Sequence, residues 1–198
     1  PRSCSSAASD VYKRQYEETA VLYRSNAQSR AIEEALLRIS IPYRIYGGLR
    51  FYERLEIKNA IAYLKIIFNN NDNPSFERSI SNPTRGVGEK TLGKIRQTAQ
   101  KYNISYIKAS AKLIDEGSIS GRGGSGLRDY LEFVAGCKSF IEENSLSDLM
   151  ELIIKESGLY SYHAKEAGEK GKTRTENLEE LITATKNFEQ SVKEDKTN

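Results

Sequence analysis

Between Glu17 and Gly48 the hydrophobic positions change period twice. The continuous run Thr19, Ala20, Val21, Leu22 and Tyr23 predicts a short buried strand ending at Arg24. A polar Ser25-Asn26 turn follows, in which Asn26 is suited to cap the next element. Ile32, Leu36 and Ile39 then recur at helical spacing, with Glu33 and Glu34 as a solvated face. After Ile41-Pro42, residues 43–46 predict a second strand, closed by Gly47-Gly48. Strand, helix and strand in about 30 residues is the βαβ pattern, and a parallel pair wants more strands than this chain supplies.

Beyond Gly48 every apolar pattern is helical. Ile57, Ile61, Leu64 and Phe68 mark one stripe, and the run Asn69, Asn70, Asn71, Asp72, Asn73, Pro74 ends that helix in a turn. A short helix from Phe76 to Ile80 leads into residues 82–88. Leu92 and Ile95 carry the next helix, residues 106–114 another, and residues 127–140 a longer one with Leu131 and Val134 inward. Residues 147–154 and 178–188 complete the set, the last preceded by a capping box of Thr173 and Glu176. The tail from Ser191 is charged and reads as solvated.

Three glycine patterns invite a functional reading. Gly121, Gly123 and Gly126 reproduce the spacing of a dinucleotide fingerprint, but they follow the polar run 115–118 rather than a strand, so a flexible loop is expected. Gly168, Gly171, Lys172 and Thr173 resemble the end of a phosphate loop, yet helical, polar sequence precedes them; they read as the loop and cap of the last helix. Residues 82–92 are more informative. A short helix, then Gly86-Val87-Gly88, then Thr91 and a new helix is the helix-hairpin-helix pattern, whose glycines permit a tight turn and whose unpaired N–H groups suit a DNA phosphate. Such a joint reads backbone rather than sequence.

Charge sharpens that picture. The chain of 198 residues carries 30 Lys+Arg against 27 Asp+Glu, a net charge of only +3, but residues 83–101 hold Arg85, Lys90, Lys94, Arg96 and Lys101 against Glu89 alone. Any nucleic-acid surface must therefore be local, and it is concentrated here. With 38% hydrophobic and 29% charged residues, core material is thin for the length, which suits a helical, surface-rich chain or a piece of something larger. Cys4, Cys137 and the single His163 cannot build a Cys/His zinc site or a disulfide framework. No apolar run approaches the roughly 18 residues of a membrane span, so a soluble, cytoplasmic chain is expected. Glu33/Glu34 and Glu179/Glu180 read as solvated helix faces rather than catalytic pairs, and the tyrosines, Tyr43, Tyr46 and Tyr52 among them, as packing residues rather than base-stacking platforms.

Residues 20–30, 42–48, 51–58, 83–88 and 176–181, in this order and spacing, resemble successive landmarks of the UvrD/PcrA/Rep superfamily-one DNA helicases. The resemblance covers roughly residues 16–198. It implies a mainly α fragment of an ATP-driven 3′-to-5′ DNA translocase: residues 16–46 as part of the RecA-like second motor domain, residues 47–198 as its helical 2B-type subdomain, and residues 1–15 as a non-family leader. By the same resemblance Arg24 and Asn26 contact the tracked single strand, while Thr84, Arg85, Gly86, Val87, Gly88, Lys90 and Thr91 grip duplex DNA. ATP and Mg2+ are implied for the intact enzyme, none for this fragment, whose stretch lacks the family's ATPase motifs. The implied partners are a single-strand/duplex junction, the remaining motor domains and a regulatory protein at the helical subdomain. Rival readings are a stand-alone helix-hairpin-helix DNA-binding protein and a helical protein-interaction module.

Overall fold

A computed structural model describes residues 19–24, 26–46 and 48–195, and the chain divides between Phe51 and Tyr52 into two units. The expected leader, Ser25 and Gly47 lie outside the described residues.

In the first unit a single turn of 3-10 helix, Asn26–Gln28, leads directly into α1, Ser29–Arg38. The Gln28 carboxamide oxygen accepts the Arg24 backbone N–H at 3.1 Å, closing the approach to the helix. Glu33, buried on α1, accepts the Phe51 N–H with both carboxylate oxygens, at 3.2 and 3.3 Å, and the Tyr43 hydroxyl at 3.3 Å, so one carboxylate ties the returning segment to the helix. Neither expected strand forms: the described residues of 19–24 and 41–46 carry no β ladder. A strand is held by hydrogen bonds to a neighbour, and no described segment of this unit supplies one. Apolar side chains flanking the helix are also poorly covered. Leu22 is 95% exposed, Tyr46 86% and Ile39 63%, a large apolar surface for so short a unit.

The second unit contains eight described α-helices: α2, Leu55–Phe68; α3, Asn73–Ser81; α4, Glu89–Tyr102; α5, Tyr106–Asp115; α6, Gly121–Glu143; α7, Leu146–Glu156; α8, Leu159–Ala164; and α9, Glu169–Asp195. Their ends follow local chemistry. Asp72 caps α3 by accepting the Ser75 N–H at 3.0 Å, with Pro74 in the first turn. Ser145 and Asp148 form a reciprocal capping box on α7. Asn103 ends α4 in the left-handed region at φ 51°.

Helix α2 is the hub, packed by α3, α6, α7 and α9. Because neighbours surround it, Ile57 of the expected stripe is buried, but the other best-buried positions are Ala60, Tyr63, Ile66 and Ile67; Ile61 and Leu64 are half-buried and Phe68 is 60% exposed. Phe76, Tyr63 and Tyr130 form an aromatic core: Phe76 meets Tyr130 edge-to-face with centroids 5.5 Å apart, and Tyr63 meets Tyr130 at a tilt, 6.1 Å apart. Buried and half-buried polar groups knit the α2, α8 and α9 ends together. Asn177 donates to Glu56 at 2.6 Å and accepts from Arg54 at 2.8 Å; Glu166 takes Arg174 at 2.5 Å and the His163 ring at 2.7 Å. The Glu166 carboxyl is held below its ordinary value, mainly by the His163 hydrogen bond and further by Arg174.

Two local expectations are corrected. Helix α9 begins at Glu169, so Thr173 and Glu176 lie inside it and form no capping box; Gly168, at φ +78°, makes the turn instead. Residues 121–126 are helical rather than a flexible loop. Their stripe continues the buried register of Leu127, Tyr130 and Val134, and contacts made elsewhere in the fold outweigh the low helix propensity of glycine.

Candidate nucleic-acid interface

The α3 and α4 helices are joined by residues 82–88, which with Lys90 and Thr91 hold the duplex contacts that the resemblance implies. The Asn82-Pro83 bond is cis. Gly86 sits at φ +74°, a conformation that disfavours any side chain, whereas Gly88, the N-cap of α4, is extended at φ −96° and ψ 179°. A Cβ on Gly88 would meet nothing within 4 Å. The fold by itself therefore requires glycine at 86 and leaves open space at 88. The Gly88 carbonyl accepts the first α4 bonds, from Thr91 and Leu92, and the N–H groups ahead of them have no intrahelical partner, as at any helix start.

Arg85 occupies an unexpected place. Its guanidinium donates to the carbonyls of Ser157 at 2.7 Å, Pro83 at 3.0 Å and Ser79 at 3.3 Å. It also lies over the Tyr63 and Tyr130 rings, 5.5 and 5.6 Å from their centroids. Ser79 binds the same cluster: its hydroxyl pairs with Tyr130 at 2.7 Å and its carbonyl accepts the Tyr63 hydroxyl at 2.7 Å. Burial raises both tyrosines above the usual phenol range, so they stay neutral beneath the cation. Arg85 thus joins α3, the loop and the end of α7 from within.

The glycines of α6 receive the loop from the other side. A Cβ on Gly126 would stand 2.0 Å from the Arg85 carbonyl oxygen, and one on Gly123 would stand 3.1 Å from that of Gly86 and 3.7 Å from the Thr91 hydroxyl. The pattern that mimics a dinucleotide fingerprint is a smooth helix face on which the loop backbone rests. The space a pyrophosphate would need there is filled by the loop backbone, so this glycine face does not fit a dinucleotide.

The remaining predicted residues divide by exposure. Thr84, Gly86, Gly88 and Lys90 are exposed, Thr91 is half-buried, and Val87 is turned inward as an anchor. The basic cluster shrinks on folding. Arg96 is clamped by Glu77, at 2.6 and 2.8 Å, and by Glu89, Lys94 donates to the Ser118 carbonyl at 3.0 Å, and Lys101 lies over the Tyr102 ring. Arg96 holds the Glu77 carboxyl below its ordinary value. Arg122 joins from α6: its stem comes to 2.9 Å from the point where a Gly86 Cβ would be. Sequence reasoning missed it because 121–126 read as a loop; the signal available was the helical spacing of Gly123 with Leu127, Tyr130 and Val134.

In the first unit Arg24 is exposed and lies next to the 3-10 turn that Asn26 begins. The two units' predicted contacts are thus each described within their own unit.

Residues 5–120 match the UvrD-like helicase C-terminal domain family. The chain belongs to that family. It is 48% identical over 171 residues to DNA helicase II of Escherichia coli K12, covering 86% of this chain and 24% of that protein. It is 38% identical over 174 residues to the ATP-dependent DNA helicase PcrA of Leuconostoc citreum, covering 88% and 23%, and 36% identical over 185 residues to PcrA of Bacillus subtilis, covering 93% and 25%. The chain spans about a quarter of the length of these UvrD-like relatives. Among the described residues no helix is long and apolar enough to cross a membrane.

Proposed function

We propose that the whole protein is an ATP-dependent DNA helicase translocating 3′ to 5′, and that residues 52–195 are its helical, duplex-holding part. The observation that carries this reading is the α3–loop–α4 joint, an exposed glycine turn between two helices, which supports a helix-hairpin-helix reading. Gly86 and Gly88 are exposed between two helices, Thr84 and Lys90 flank them, and the loop is fixed from beneath by Arg85 and by the α6 glycines. Backbone N–H groups and Lys90 bind phosphate without reading bases, as a motor that moves along any sequence needs. Arg85 serves by shaping the loop, and Val87 by anchoring it. ATP and Mg2+ belong to other parts of the whole protein.

The first unit fits a fragment of a RecA-like motor domain. Its exposed Val21, Leu22 and Ile39 are the apolar surface that a sheet with further strands would cover. There Arg24, with Asn26 beside it in the chain, serves the tracked single strand.

Fluorescence anisotropy with labelled duplex and forked DNA tests the grip. The 198-residue chain is expected to bind weakly and equally to unrelated sequences, with a log–log salt slope of about −2 to −4, the release expected for a few phosphates. A slope near zero, or preference for one sequence, would refute it. In the whole protein, Arg24→Ala should impair DNA-stimulated ATP hydrolysis more than basal hydrolysis; equal losses would leave Arg24 a structural role only.

A further inference from the structure

We propose that Arg122, from the first turn of α6, is a duplex-phosphate contact of the 82–88 loop, replacing on its surface the cation that Arg85 withdraws into the core. This inference rests on the duplex-holding reading above.

The loop's own arginine is turned inward: three of its five N–H donors go to backbone carbonyls and its guanidinium lies over two aromatic rings. Arg96 is neutralised by Glu77 and Glu89, and Lys94 is drawn to a carbonyl. Around the loop, the described cationic side chains with no hydrogen-bond or ion-pair partner are Lys90 and Arg122, and both are exposed. Arg122 is placed by packing. Its Cγ and Cδ lie 2.9 and 3.4 Å from the Gly86 Cβ position, so its stem lies against the loop at the exposed Gly86. Gly123 and Gly126 on the same helix lock that register, because any larger residue would lift α6, and Arg122 with it, off the loop.

No acidic residue occurs between Ile119 and Leu127, and Glu89 is held by Arg96, so the Arg122 charge is not cancelled locally. A guanidinium whose stem is fixed against a glycine turn and whose fork is free suits a phosphodiester, which it grips through two oxygens. Lys90 at the start of α4 and Arg122 at the start of α6 would then contact the backbone on either side of Gly86. A polyanion with regularly spaced phosphates, duplex DNA, is the partner this arrangement fits.

The test is a salt titration of the 198-residue chain against a labelled duplex of about 20 base pairs, for wild type, Arg122→Gln, Arg122→Lys and Lys90→Gln. Loss of one phosphate contact should make the log–log slope shallower by about 0.9, which is about an eightfold loss of affinity near 0.1 M salt. Arg122→Gln is expected to show this with unchanged thermal unfolding, and Arg122→Lys to recover most of the slope. If Lys90→Gln lowers the slope and Arg122→Gln does not, the assignment of Arg122 fails while the duplex reading stands. If wild type shows no salt-dependent duplex binding, both fail.

Discussion

Gly126→Ala pits two physical effects of opposite sign against each other. Inside a helix, alanine is better than glycine by about 1 kcal/mol, so a residue that only had to be helical would gain stability. At Gly126 the new Cβ would stand 2.0 Å from the Arg85 carbonyl oxygen, a backbone atom held by the turn at Gly86 and by the Arg85 fork. Relief requires moving α6 or the loop by more than an ångström, and overpacking of this kind costs about 1–3 kcal/mol, at the upper end where backbone must shift. The net expectation is a loss of about 2 kcal/mol, or about 4–8 °C in Tm at 2–4 °C per kcal/mol for a chain of this size. Gly136, exposed on the same helix with nothing within 4 Å of its Cβ position, is the internal control. Gly136→Ala should gain about 1 kcal/mol and raise Tm by about 2–4 °C. Circular dichroism melts of the two variants decide the matter: if Gly126→Ala stabilises as much as Gly136→Ala, the loop does not rest on α6 and the placement of Arg122 falls with it.

The two loop glycines should separate by role: Gly86→Ala, at φ +74° and against Arg122, is expected to lower stability by about 1–2 kcal/mol. Gly88→Ala should stay within about 1 kcal/mol of wild type, since its backbone is extended and its Cβ space open, yet weaken duplex binding; equal melts for the two variants would contradict this. Arg85→Ala removes charged hydrogen bonds that tie α3, the loop and α7, and should cost about 3 kcal/mol by chemical denaturation, a cost that a purely surface DNA contact would not show. For Glu166 the folded carboxyl titrates below its unfolded value of about 4.5, so its contribution is complete above that pH and disappears as acidification carries the solution through the lower, folded value. The Tm gap between wild type and Glu166→Gln should therefore be full at about pH 6 and shrink toward about pH 3; a gap independent of pH would rule out the carboxylate's contacts with His163 and Arg174 as its source.

Much of the helical layout was legible because it depends on local periodicity. The expected helices around Ile57, Phe76, Leu92, Tyr106, Leu131 and Leu178 all fall within observed ones, and residues 82–88 were marked as a joint by their glycines. The failures share one cause, which is that the deciding contact is distant in sequence. Gly121, Gly123 and Gly126 read as a loop because glycine is a poor helix former, but α6 uses two of them as clearance for backbone about 40 residues earlier in the chain. The expected strands at 19–24 and 43–46 have the apolar texture of strands and lack a described neighbour to pair with. The α2 stripe was misassigned because a helix packed on several sides has no single apolar face to give a clean period.

Sequence alone determined the kind of chain: mainly helical, locally basic around one glycine joint, and similar to one helicase family through landmarks spread along its length. Tertiary structure decided which charges in that joint remain available. Local composition counts cations without regard to what they touch, so Arg85 and Arg96 weighed as much as Lys90. Folding then placed Arg85 over two buried tyrosines, closed Arg96 between two carboxylates and brought Arg122 across Gly86. The net charge of a segment is fixed by its residues, but the charge it offers to a partner is fixed by their pairing.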